Sequence, residues 1–107
     1  MMAVAEISGG TVFNQRVVVG TTVVSVDMGV EAGTISVGVG DAVTGHAVRV
    51  AIGSSSPSDP AGPATASTKS NEYLSTVGMG LIVHEPGTRH LKLIASAAGQ
   101  GVTIMAW

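Results

Sequence analysis

Cysteine is absent from this chain of 107 residues, so disulfides and thiolate metal sites are excluded and folding cannot depend on a redox compartment. Charge is scarce as well. Asp, Glu, Lys and Arg make up 11% of the residues, against about 25% in an ordinary soluble domain. Only Phe13, Tyr73 and Trp107 are aromatic. No apolar run approaches the roughly 18 residues that a membrane-spanning helix needs. The opening Met1-Met2-Ala3-Val4-Ala5-Glu6-Ile7 has neither a basic n-region nor a long apolar h-region, so no secretory signal is expected and synthesis in a cytoplasm is. The formal net charge is −2, and the five basic residues (Arg16, Arg49, Lys69, Arg89 and Lys92) are scattered. Nucleic-acid binding normally needs a basic face, and none is assembled by this pattern.

What remains is small, apolar and branched. Hydrophobic residues make up 45% of the chain, most of them Val and Ala, and there are 15 glycines. Val fits a pleated sheet and loses side-chain freedom in a helix, so the composition points to β structure. A chain of this length forms one domain around one core. Monomeric proteins usually keep a mixed, charged surface that limits association. Low charge along the whole chain therefore implies that part of this surface is covered by other subunits.

Alternation supports the same fold class. Residues 1–10 form an arm ending at Gly9-Gly10, followed by Thr11–Phe13 and Arg16–Val19. Val24, Val26 and Met28 share one face, as do Ile35, Val37 and Val39 after an expected turn at Glu31-Ala32-Gly33. Gly40–Gly45 reads as a second turn. Val48, Val50 and Ile52 then face inward with Arg49 opposite. Residues 53–71 carry Pro57, Pro60 and Pro63 among small polar residues, which forbids a helix or a central strand and predicts a surface loop. Strands resume at Glu72–Thr76 and Gly80–His84. Glu85-Pro86-Gly87-Thr88 has Pro and Gly where a type II turn wants them. Leu91, Leu93 and Ala95 point inward, Ala98–Gly101 turns, and Val102, Ile104 and Ala106 complete the pattern. The expectation is a single antiparallel β-sandwich over 11–107, jelly-roll-like, with about eight strands and no crossover helix.

Catalytic patterns fail one by one. His84-Glu85 followed by His90 misses the zincin spacing, since position 88 is Thr88, and Pro86-Gly87 prevents the helix that motif requires. His84 and His90 are expected on neighbouring strands flanking the turn, and solvent-facing strand ends account for them. Gly38–Gly45 lacks the Gly-Lys-Ser/Thr that holds phosphate and reads as a hairpin loop. Ser54, Ser55 and Ser56 sit in no nucleophile elbow. Asp27, Asp41, Asp59 and Glu85 fall mostly on turns, where Asp is favoured for local hydrogen bonds. No enzyme activity, cofactor or metal is expected. Trp107 is either part of the margin of the domain's own core or an anchor in a subunit interface, where Trp is enriched.

Several segments together carry a resemblance. They are Ala47-Val-Arg-Val-Ala-Ile-Gly, a Ser/Pro loop with Ser58-Asp59, Asn71-Glu-Tyr-Leu, Gly80-Leu-Ile-Val-His-Glu-Pro-Gly, Leu91-Lys-Leu-Ile-Ala-Ser-Ala-Ala-Gly and Val102-Thr-Ile-Met-Ala-Trp. Over about residues 46–107, and more loosely from Thr21 to Val39, the chain resembles small virion structural domains of tailed bacteriophages. The 53–71 loop is longer than that pattern. The resemblance implies a capsid decoration (cement) protein or a small tail or fibre domain. Short length without a fused partner domain makes the decoration protein the expectation: a homotrimer on the capsid exterior that clamps the major capsid protein.

The expected contact residues are Val4 and Ile7 in the arm, Val17, Val18 and Val19 on a low-charge edge strand, and Trp107. A host-surface carbohydrate-binding or fibre-associated module is the alternative, weakened by so few aromatic rings for sugars to stack on.

Overall fold

The computed structural model of the chain describes residues 11–39, 47–62, 70–76 and 80–107. These form six strands: β1 (Phe13–Val19), β2 (Val24–Val39), β3 (Ala47–Gly53), β4 (Glu72–Thr76), β5 (Leu81–Ala95) and β6 (Gln100–Ala106). All pairings are antiparallel, in one sheet of order β1-β6-β2-β5-β3-β4. The period-2 faces fall as the alternation requires. Val26, Met28, Ile35, Val37, Val48, Val50, Ile52, Leu91, Leu93, Val102 and Ile104 are buried in one cluster. Removing a side chain such as Ile104 to Ala there costs roughly 2–5 kcal/mol.

The expected eight-stranded sandwich is corrected to this single open sheet, and there is no second sheet among the described residues. Two expected turns are bulges inside long strands, which takes eight strands to six. On β2, Met28-Gly29-Val30-Glu31 stand against the single Arg89, between the pairs Asp27↔His90 and Ala32↔Thr88. On β5, Glu85-Pro86-Gly87 stand against the single Gly33, between Ala32↔Thr88 and Thr34↔His84. The bulges are offset and opposed, so neither strand reverses. Each contains one glycine in the left-handed region, Gly29 at φ 78° and Gly87 at φ 82°, where a side chain would meet its own backbone. A bulge adds bend and twist. The outer ends of β2 and β5 thereby belong to two differently oriented halves, β5-β2-β6-β1 and β4-β3-β5-β2.

That bend lets one sheet bury a core. Val48 and Val102, in opposite halves, are both 0% exposed, although no helix or second sheet among the described residues covers them. The edges reach inward toward non-neighbours. Ser75 of β4 donates its hydroxyl to the Val37 carbonyl of β2 at 3.1 Å. Ala95 N at the end of β5 donates to Gly20 O, just beyond β1, at 2.7 Å.

The expected surface loop packs against the sheet over residues 53–62. Pro60 is buried, and Lys92 Nζ meets Asp59 Oδ1 at 3.0 Å. Ala61 N donates to Glu72 Oε1 at 3.4 Å. By register, Arg49, Ala51, Glu72 and Lys92 share the outer face of the β4-β3-β5 half. Ala51 is 0% exposed on that face, and Arg49 and Glu72 are also buried. The segment is therefore a strap over one outer face. The expected turn at Gly40–Gly45, the arm 1–10 and the rest of the 53–71 loop (63–69) lie outside the described residues.

Candidate functional site

The other outer face has no such strap among the described residues. Register, carried one residue past the ends of β6 and β1, places His84, Thr34, Trp107 and Val12 in one row, and Ile82, Ser36, Met105 and Asn14 in the next. Gly38, Thr103 and Arg16 follow, then Val18. Four large apolar side chains stand out of this face: Val18 and Ile82 at 65% exposed, Val12 at 49% and Trp107 at 39%. No carboxylate side chain of a described strand residue lies on it. Trp107 is held by its backbone, its N donating to Thr34 O at 2.9 Å and its O accepting from Gly33 N at 2.8 Å. Its backbone is thus fixed at the margin of this face.

The expected contact residues divide. Val18 and Trp107 lie on this uncovered face. Val17 points inward and packs on the core, and Val19 is wholly buried in it, because alternate residues of a strand take opposite faces. Val4 and Ile7 lie outside the described residues. Ile82 and Val12 belong to the face and were missed. Their outward position was legible from the alternation of Leu81, Val83 and Phe13 on the opposite side.

The histidines are separated, not paired across a turn. Both lie on β5, His84 opposite Thr34 and His90 opposite Asp27. His84 Nδ1 is 3.1 Å from Thr34 Oγ1. No group of three metal-ligating side chains occurs among the described residues.

Charge on the described surface concentrates at the bulges. Arg89 donates from Nε to Asp27 Oδ1 at 2.9 Å and from its terminal nitrogen to Oδ2 at 3.3 Å. Gly29 N donates to Asp27 Oδ1 at 2.8 Å. The Arg89 hydrogen bond, helped by the Gly29 amide, lowers the Asp27 carboxyl to about 2 and raises the Arg89 guanidinium in return. The pair closes the double bulge, and Glu31 in the same bulge adds to the charge that favours the Arg89 guanidinium.

A concavity lies where β3 parts from β5. It has a volume of about 210 Å³ between Ile52–Ser54, Ser70-Asn71 and Glu85–Thr88. Asn71 is pinned there, its Nδ2 donating to Ile52 O at 2.9 Å while its own O accepts from Ile52 N at 3.0 Å. Thr88 is buried and gives its hydroxyl to Glu85 O at 2.7 Å.

No protein-family model matches the chain, and no curated protein or solved structure matches it at a significant level.

Proposed function

We propose that this chain is a non-enzymatic structural protein of a phage virion, a capsid decoration protein that binds the outside of the shell and stabilises it. The observation that carries this reading is the contrast between the two outer faces. One is partly covered by the chain's own 53–62 strap, although Leu74 stays 44% exposed there, while the other shows Val12, Val18, Ile82 and Trp107 to solvent with no carboxylate from a described strand residue among them. Several exposed apolar residues on one uncovered face mark interaction sites, and a Trp among them suits an anchor. The sequence resemblance over residues 46–107 names the setting.

The mechanism is thermodynamic linkage. A protein that binds only the expanded shell stabilises it by RT ln(1 + [L]/Kd), about 2.7 kcal/mol per site at a hundredfold excess over Kd. Repetition over many equivalent sites multiplies the effect. Self-association into a trimer around a local three-fold axis would present three such faces together.

The test is native mass by light scattering, followed by co-sedimentation with expanded, undecorated phage shells. A species of about three times 10.6 kDa that pellets with shells, and fails to pellet as Ile82→Ser with Trp107→Ser, supports the reading. A monomer that never pellets with shells removes it.

A further inference from the structure

The groove between β3, the start of β4 and the Glu85–Thr88 bulge serves no part of the assembly reading and does not depend on it. It exists because the β3–β5 ladder ends at Gly53↔His90, which leaves Glu85–Thr88 without a ladder partner on that side. The departure of β3 is abrupt. A Cβ on Gly53 would stand 2.7 Å from the Ser55 carbonyl oxygen, so only glycine fits. The opposite wall is shaped by Gly87 in its left-handed conformation.

The groups at this gap select among ligand classes. Glu85 is the one charged side chain among the described lining residues, so phosphates and other anions are repelled and find no cation. A divalent metal wants several carboxylates or carbonyls around it, and one exposed carboxylate is a poor start. An added peptide strand needs a regular ladder, whereas this stretch is bulged and Pro86 has no N–H to offer. A compact ligand with several hydroxyls meets none of these objections. Each hydroxyl both donates and accepts, Glu85 and the Asn71 Oδ1 can receive, and Ser54 and Ser70 can do either. With Nδ2 tied to Ile52 O, the Asn71 acceptor is already oriented. The volume, about 210 Å³, falls below the roughly 300 Å³ at which drug-sized pockets begin. One ring fits.

We propose that this groove binds a neutral single-ring polyol, a monosaccharide unit of a larger glycan. Pro86 supplies the apolar contact for the ring's C–H face. No aromatic ring lines the site, so affinity for a lone sugar is on the order of 1–10 mM, as a few neutral hydrogen bonds and little stacking allow.

The experiment is amide-detected NMR of the full chain titrated with methyl α-glucoside, methyl α-galactoside and methyl α-mannoside, with calcium chloride and inorganic phosphate as separate arms. Saturable shifts with at least one glycoside, centred on Gly53, Ser54, Ser70, Asn71, Gly87 and Thr88, are expected. Glu85→Gln should weaken them about five- to tenfold, because a charge-assisted hydrogen bond is replaced by a neutral one. Its side chain is exposed, so the spectrum away from the groove reports an intact fold; Ser54→Ala provides a second variant. Absence of saturable shifts with all three glycosides overturns the proposal. So do shifts indifferent to both variants, or saturation of these amides by calcium or phosphate alone.

Discussion

Asp27 and Arg89 grip each other across the double bulge of β2 and β5, with Arg89 Nε 2.9 Å from Asp27 Oδ1. Asp27 stands at the last regular pair before β2 bulges, and Arg89 is the single residue that faces the four bulged ones. Both side chains are exposed, so the pair adds direction to the bend more than stability.

Its pH dependence has a definite sign. The folded carboxyl is lowered to about 2, below the ordinary value near 4 in the unfolded chain. The Asp27 contribution is therefore complete above that ordinary value and is lost as pH falls toward 2. Asp27→Asn should flatten the acid limb of a melting-temperature profile in this window. Arg89→Ala should raise the Asp27 carboxyl, read by carboxyl NMR, yet leave it below the ordinary value because the Gly29 amide still donates. An Asp27 titration unmoved by Arg89→Ala would sever the pair.

The glycines of the two bulges differ from those elsewhere in the sheet. Gly29 and Gly87 have open space where a Cβ would go, so an added methyl meets only the backbone penalty of positive φ. Gly29→Ala and Gly87→Ala should each cost about 1–2 kcal/mol. Gly38 has equal space and an ordinary strand conformation. Gly38→Ala should be neutral or gain up to about 1 kcal/mol by restricting the unfolded chain. Urea denaturation of the three variants checks the contrast, and equal effects at all three positions would refute it.

The inward faces were legible because alternation over Val24–Met28, Ile35–Val39, Val48–Ile52 and Leu91–Ala95 is a local property of a half-buried strand. The number of strands was not. Pro86-Gly87 and the glycines around Glu31 serve a hairpin turn and a bulge equally well, since both need positive φ and a lapse in pairing. A clue lay in the parity. Inward residues on β2 are even-numbered through Ala32 and odd-numbered from Ile35, a change of phase that goes with irregular pairing within a continuing strand. The strap was unreadable for a different reason. Pro and Ser exclude regular structure over 53–62 but say nothing of what lies beneath. Of the candidate face, low charge announced its existence, whereas its location follows from which half the strap covers. The groove joins three segments far apart in the chain and has no local signature.

Ser75 tests whether the sheet's curl is held at its β4 edge. The residue is 1% exposed, and its hydroxyl reaches Val37 O on a strand that β4 does not pair with. Ser75→Ala removes the donor and leaves a carbonyl acceptor short of one bond. A loss of about 1–2 kcal/mol is expected, with faster hydrogen exchange concentrated in β3 and β4. Unchanged exchange there would mean that packing alone closes the sheet.

Trp107 is the sole tryptophan, so its fluorescence reports on the uncovered face without labelling. At 39% exposure its emission should lie between buried and free indole in dilute solution. If this face meets a partner, the emission should shift to the blue as protein concentration rises or as shells are added. Ile82→Ser, two pairs away on the same face, should weaken that shift without altering the dilute spectrum. The backbone bonds of Trp107 to Gly33 and Thr34 survive substitution of its side chain. Trp107→Ala should accordingly melt within about 1 kcal/mol of the parent, because the residue is already 39% exposed and little apolar area is lost from the core. Its association should drop at least tenfold, in the range typical of a truncated interface anchor. A large loss of stability with unchanged association would instead assign the indole to the margin of the domain's own core.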